Sequence, residues 1–220
     1  MKYFPYSYTV NNPIYFVDPD GKFILPASFR AKYKRLTQYL KNGIQEIANN
    51  PKVVNALKKY GQFSDANIKK GLKWNSGPEI NITQLNSVYG EFRPRIGSST
   101  LNIDVDLVNA LEKAKGKDRD YLLFLVAVTI LHEYVHYGDD QDGVDYTGAV
   151  GSGEEGNAFE IMAYGKVIGK KESKDLINKY LEDKEEENKK KSEGFNNLIN
   201  NFDNLEEGKY VWDGNAWVQE

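Results

Sequence analysis

Residues Tyr121 to Leu131, YLLFLVAVTIL, carry no charge in a chain of which 28% is Asp, Glu, Lys or Arg. A run this apolar has to be buried, and eleven residues fall well short of the ~20 that cross a bilayer. It therefore predicts a core helix, capped by Asp118 or Asp120 and ended by Gly138. A length of 220 residues, 40% apolar, is enough for one well-cored domain, or one domain plus an appendage. The formal charge of -3 leaves no basic excess to argue for nucleic acid or acidic lipid as the partner. With no cysteine in the chain, any metal site has to use His, Asp or Glu. The opening MKYFPYSYTVNNP has one lysine and no apolar core segment, which argues against a secretory signal peptide.

Around that helix the pattern is α+β, mostly helical with a small sheet. The first 25 residues, with NNP and DPDG turns, form a linker-like arm. A helix is expected from Ser28 as N-cap, with Phe29, Tyr33, Leu36, Leu40, Ile44 and Ile47 on one face. Further helices start at Pro51, ending at Gly61, and after Ser64. PEINITQL suggests a strand, and STLNIDVDL alternates Leu101, Ile103, Val105 and Leu107 with Asn102, Asp104 and Asp106, so the aspartates read as its wet face. Asp106 is the expected cap of the helix after it, and Glu154 to Ile168 the helix after the long one. Residues 26–170 make the expected main domain. Residues 171–220, a charged helix and a hairpin around Asp213-Gly214 with Trp212 and Trp217 on either side, are read as part of it.

The apolar run leads directly into His132-Glu133-Tyr134-Val135-His136, and these are the chain's two histidines. Four residues apart on a helix, they stand one turn apart on one face, where both rings can meet a single tetrahedral zinc ion, Zn2+. Glu133 stands beside such a metal without ligating it and can take a proton from the attacking water. H-E-x-x-H on a helix is the pattern of zinc metallopeptidases. A third ligand has to be a carboxylate, and three are in range: Glu155, Glu160 and Asp142. Glu155 and Glu160 lie about 140° apart round one helix, so both cannot face the same ion. Glu160, flanked by Phe159 and Ile161, is the preferred candidate, because a carboxylate in such a place needs a partner. The acidic residues Asp139, Asp140, Asp142 and Asp145 read as a solvated loop. Tyr134, Tyr137, Tyr146 and Tyr164 are packing residues, any of which can be an oxyanion donor, and STLNIDVD is the strand expected to hold an extended substrate.

Eighteen residues separate His136 from Glu155, and EEGNA resembles the glutamate motif of the gluzincins. FEIMAYG around Glu160 is similar to the segment carrying the zinc glutamate of clostridial neurotoxin proteases. Asp142, six residues after His136, resembles the third-ligand position of the metzincins. At the N-terminus, Pro13, Asp18, Pro19 and Gly21 resemble the end of the Rhs/YD-repeat core that precedes the toxin tip of bacterial polymorphic toxins. HEYVHYGD and EEGNAFE resemble the zincin-like metallopeptidase toxin domains of those systems. The resemblance implies a secreted zinc endopeptidase delivered into target cells by an Rhs-type shell. It also implies a protein substrate and a cognate immunity protein in the producer. The competing expectations are a metal-free binding module and a zinc hydrolase of a non-protein amide such as cell-wall peptide.

Overall fold

The structure is a computed structural model that describes residues 23–74, 76–94, 99–142, 155–200, 210–212 and 217–219. The expectations placed on residues 1–22, Asp145, Tyr146 and the Asp213-Gly214 turn lie outside the described residues. The chain divides into two units, through Lys174 and from Asp175 onward.

The first unit is mostly helical with a three-stranded sheet, an α+β arrangement. In chain order it contains α1 (Ala27–Lys32), α2 (Lys34–Asn42), a 3-10 helix (Ile44–Asn49), α3 (Pro51–Tyr60), α4 (Asp65–Gly71), β1 (Glu79–Thr83), β2 (Gly90–Phe92) and β3 (Thr100–Asp104). These are followed by α5 (Val105–Lys113), α6 (Gly116–Asp142), α7 (Glu155–Tyr164) and the start of α8 (Lys170–Asn200). The sheet order is β1-β3-β2, with β1 parallel and β2 antiparallel to the central β3. Its buried residues Ile80, Ile82, Leu101 and Ile103 face a core completed by α6, whose Leu125, Val126, Val128, Ile130 and Leu131 are almost wholly inaccessible. The core begins before the expected domain start. Phe23 and Leu25 are fully buried, and Ile24 bridges to Glu79, its carbonyl accepting from Ile80 N at 2.8 Å. The second unit holds the rest of α8 and an antiparallel hairpin of β4 (Tyr210–Trp212) and β5 (Trp217–Gln219), with Trp212 opposite Trp217.

Several boundaries differ from expectation, each for a local reason. The single helix expected from Ser28 is three pieces. It starts at Ala27 without a side-chain cap, breaks at the buried Tyr33 (φ -112°, ψ 73°), and breaks again at Gly43, where the Tyr39 ring occupies the space a Cβ would need. Asn50 and Ser64 cap α3 and α4 through their side chains. Asp104, not Asp106, caps α5. Its carboxylate is buried and accepts from Leu107 N at 3.2 Å and Leu85 N at 3.1 Å, so the chain turns helical at Val105. Helix α6 starts at Gly116 (φ +53°) and passes through Gly138 to Asp142. Asp139 and Asp140 are thus helical rather than part of a loop. As a whole α6 is long and apolar enough to cross a membrane by length and composition, but 67% of its most apolar window is buried inside the protein, as in a core helix. Helix α7 stops at Tyr164 rather than Ile168 because Gly165 takes φ +84°, a left-handed C-terminal turn that glycine adopts without steric cost.

Candidate active site

Helix α6 carries His132, Glu133 and His136 into the wall of a cleft of about 680 Å³. The two imidazoles lie with ring centroids 5.1 Å apart. Burial first, and then the neighbouring His132, push His136 down to about 4, even though Glu155 Oε2 is 3.3 Å from its Nδ1. Its ring is therefore neutral at neutral pH, the form that can donate a lone pair to a metal.

Helix α7 packs across α6 and supplies the two carboxylates. Glu155 is the first residue of α7, nearly buried, beside His136. Glu160, 4% exposed, lies 2.6 Å from His132 Nδ1 through Oε1 and accepts from Ile168 N at 2.5 Å through Oε2. Both of its oxygens are thus engaged, one by the imidazole and one by the loop that follows Gly165. The helices approach this closely because residue 156 is glycine: a Cβ there would lie 2.3 Å from His132 Nε2 and Cδ2. Asp142 is the last residue of α6, on the same continuous helix as His136. Among the described residues, no group of three or more His, Asp or Glu side chains is arranged to enclose a metal ion. The donor chemistry nonetheless fits one: two imidazoles, one held neutral by burial, with a nearly buried glutamate beside them.

Glu133 faces the same cleft and is only 6% exposed. It lies against β2: a Cβ on Gly90 would be 2.6 Å from Glu133 Oε1 and 2.7 Å from Thr129 Cγ2. β2 is one edge of the sheet as described, and it lines the cleft, whereas STLNIDVD forms the central strand β3 and has neighbours on both sides. The strand expected at the edge is therefore central, and the edge strand that lines the cleft is β2. Asp104 N donates to Tyr89 O across the register Gly90↔Ile103, which makes Tyr89 and Asp104 a hydrogen-bonded pair. Alternation then turns the N–H and C=O of Gly90 and Phe92 away from β3. Sequence reading missed β2 because three residues centred on a charge and opened by glycine carry little strand signal. The alternation of Val88, Gly90 and Phe92 was the one available cue.

The tyrosines divide by face. Tyr134 is buried behind α6, stacked on Phe63 at 4.3 Å, with its hydroxyl 3.3 Å from Asn67 O and its phenol pushed well up by burial. Tyr137 stacks on Tyr134, and Tyr164 packs edge-on against Phe124 and Phe159. None of these three lines the cleft, whereas Tyr89 does.

Fold and cleft put the chain in the class of α+β proteins that carry H-E-x-x-H on a buried helix beside a small sheet. More particularly, the chain belongs to the metallopeptidase toxin 3 family, whose model matches residues 29–165. That membership implies a peptidase toxin with a metal cofactor and a substrate. No curated protein and no solved structure matches the chain.

Proposed function

We propose that the protein is a zinc-dependent endopeptidase of zincin-like design, the toxin part of a secreted polypeptide that cleaves proteins inside target cells. The reading is supported above all by the meeting, in one cleft, of the outward-turned backbone of β2 with the His132, Glu133 and His136 face of α6. An extended peptide can add to the edge of β2 through Gly90 and Phe92, and its backbone then passes beside Glu133.

His132, His136 and Glu155 are the residues that would hold zinc. Glu155 is the carboxylate beside His136, its Oε2 3.3 Å from Nδ1. Glu160 serves instead as the group that orients His132, since its Oε1 holds Nδ1 and leaves Nε2 as the nitrogen for the metal. When bound, zinc supplies Lewis acidity to the scissile carbonyl and to water. Glu133 accepts the proton of the attacking water and hands it to the departing amine nitrogen. The Rhs-type delivery shell, suggested by Pro13, Asp18, Pro19 and Gly21, and a cognate immunity protein complete the proposal.

The test combines metal analysis of the purified protein with mass spectrometry of a cell lysate incubated with the parent and with Glu133→Gln. Roughly one zinc per chain in both, with new peptide termini at least ~10²-fold fewer for the variant, is the expected result. Equal cleavage by the two proteins sinks the mechanism.

A further inference from the structure

We propose that Gly90 is a positioning residue for Glu133, so that the strand offered to the substrate and the base that acts on it are fixed to each other by direct contact. The inference rests on the peptidase reading for its catalytic consequence, but its physical basis stands apart from it. A Cβ at residue 90 would lie 2.6 Å from Glu133 Oε1, 2.8 Å from Glu133 Cγ and 2.7 Å from Thr129 Cγ2. Real Cβ contacts essentially never fall below 3.0 Å. Any side chain at this position therefore has to move the glutamate, the threonine or the strand.

The threonine is poorly placed to yield, because it is 7% exposed and its Oγ1 donates to Leu125 O at 2.9 Å in the preceding turn. The strand is tied to β3 on its far side by the Tyr89 and Asp104 pair, and Phe92 meets the Tyr137 ring edge-on at 6.0 Å on the same face of β2 as residue 90. Glu133 is the contact with rotatable bonds, so its carboxylate gives way first. Glycine is required here for space, since residue 90 is in a strand and is not among the residues with positive φ. The N–H and C=O of the same residue point away from β3, and Gly90 lines the cleft, so a peptide paired with Gly90 lies next to the carboxylate that Gly90 seats. Placing a proton acceptor to within an ångström is worth up to about 10²-fold in rate.

The experiment is a double-mutant cycle with two readouts. In thermal unfolding of the zinc-free proteins, Gly90→Ala is expected to lower Tm by about 5 °C in the parent and by clearly less in a Glu133→Ala background, where the obstructing side chain is gone. This arm requires no peptidase activity. In the second readout, on a peptide that the parent cleaves, Gly90→Ala is expected to lower kcat at least ~10-fold with KM altered less than about 2-fold and zinc affinity under a competing chelator unchanged. Thr129→Ser removes the other contact, so Gly90→Ala/Thr129→Ser should recover part of the stability without recovering kcat. Equal Tm losses in both backgrounds would overturn the contact. Recovery of kcat by Thr129→Ser would overturn the positioning role. A parent that cleaves no peptide would overturn the catalytic part together with the peptidase reading, while the unfolding cycle would still decide whether Gly90 seats Glu133.

Discussion

The two faces of α6 differ in kind. The cleft face presents Thr129, His132, Glu133 and His136, polar groups held at short range by Glu160 and by contact with Gly90. The opposite face presents Tyr134 and Gly138 to Phe63 and Gly61, a ring stack and a close backbone approach with few polar demands, and Tyr137 lies between the two faces, stacked on Tyr134 and edge-on to Phe92. One face gathers buried polar groups about the cleft, and the other anchors the helix by packing. Function and stability should therefore respond to different substitutions on the same 27-residue helix.

The largest effects should come from the groups that serve the cleft face. Glu155→Ala is expected to lose zinc under a chelator that the parent withstands. Glu160→Ala should weaken zinc by about 10- to 100-fold, the usual size for a group that orients a ligand. Side-by-side chelator titrations decide the assignment, and the reverse order would return Glu160 to the metal. On the packing face, Gly138→Ala forces a Cβ to 2.3 Å from Gly61 O and Phe63 Cζ, and should cost about 1–3 kcal/mol in denaturant unfolding. Zinc affinity and kcat of the folded fraction should stay at parental values.

Acidification probes the cleft face without mutation. His136 sits at about 4 in the fold and near 6.5 when unfolded, so the unfolded chain binds more protons between those values. Stability of the zinc-free protein should thus be full above pH 6.5 and fall as pH drops toward 4, by on the order of 1–3 kcal/mol. A flat stability curve across that window would contradict the burial of the ring. The smallest effect should be Tyr134→Phe. It removes a 3.3 Å hydrogen bond to Asn67 O while keeping the stacked ring, at about 1 kcal/mol or less with no change in zinc binding.

How far the sequence could be read follows the same division. That His132, Glu133 and His136 share one helix and one cleft was legible because it is a purely local relation, one turn of one helix. Glu155 and Glu160 stood out as candidates, but their different surroundings depend on the N–H of Ile168, a backbone group with no residue signature. The end of α6 was misread because Gly138 resembles a terminator, whereas here it allows Gly61 and Phe63 to approach. Asp104 was placed on a solvent face because strand alternation continues by coincidence into the first turn of α5. β2 escaped notice because its place against α6 depends on tertiary contact at Gly90, for which three residues of local pattern are no guide.

The loop after Gly165 has one more consequence. Val167, Ile168 and Gly169 form one wall of the cleft, and the Ile168 N–H is also the anchor of Glu160 and, through it, of His132. A group lodged against Val167 thus bears on the same peptide plane that fixes the imidazole. By thermodynamic reciprocity, any factor by which such an occupant alters the grip on the metal is returned as the same factor in the occupant's own affinity. An inhibitor designed for that wall would then show a metal-dependent potency even if none of its atoms touched the ion.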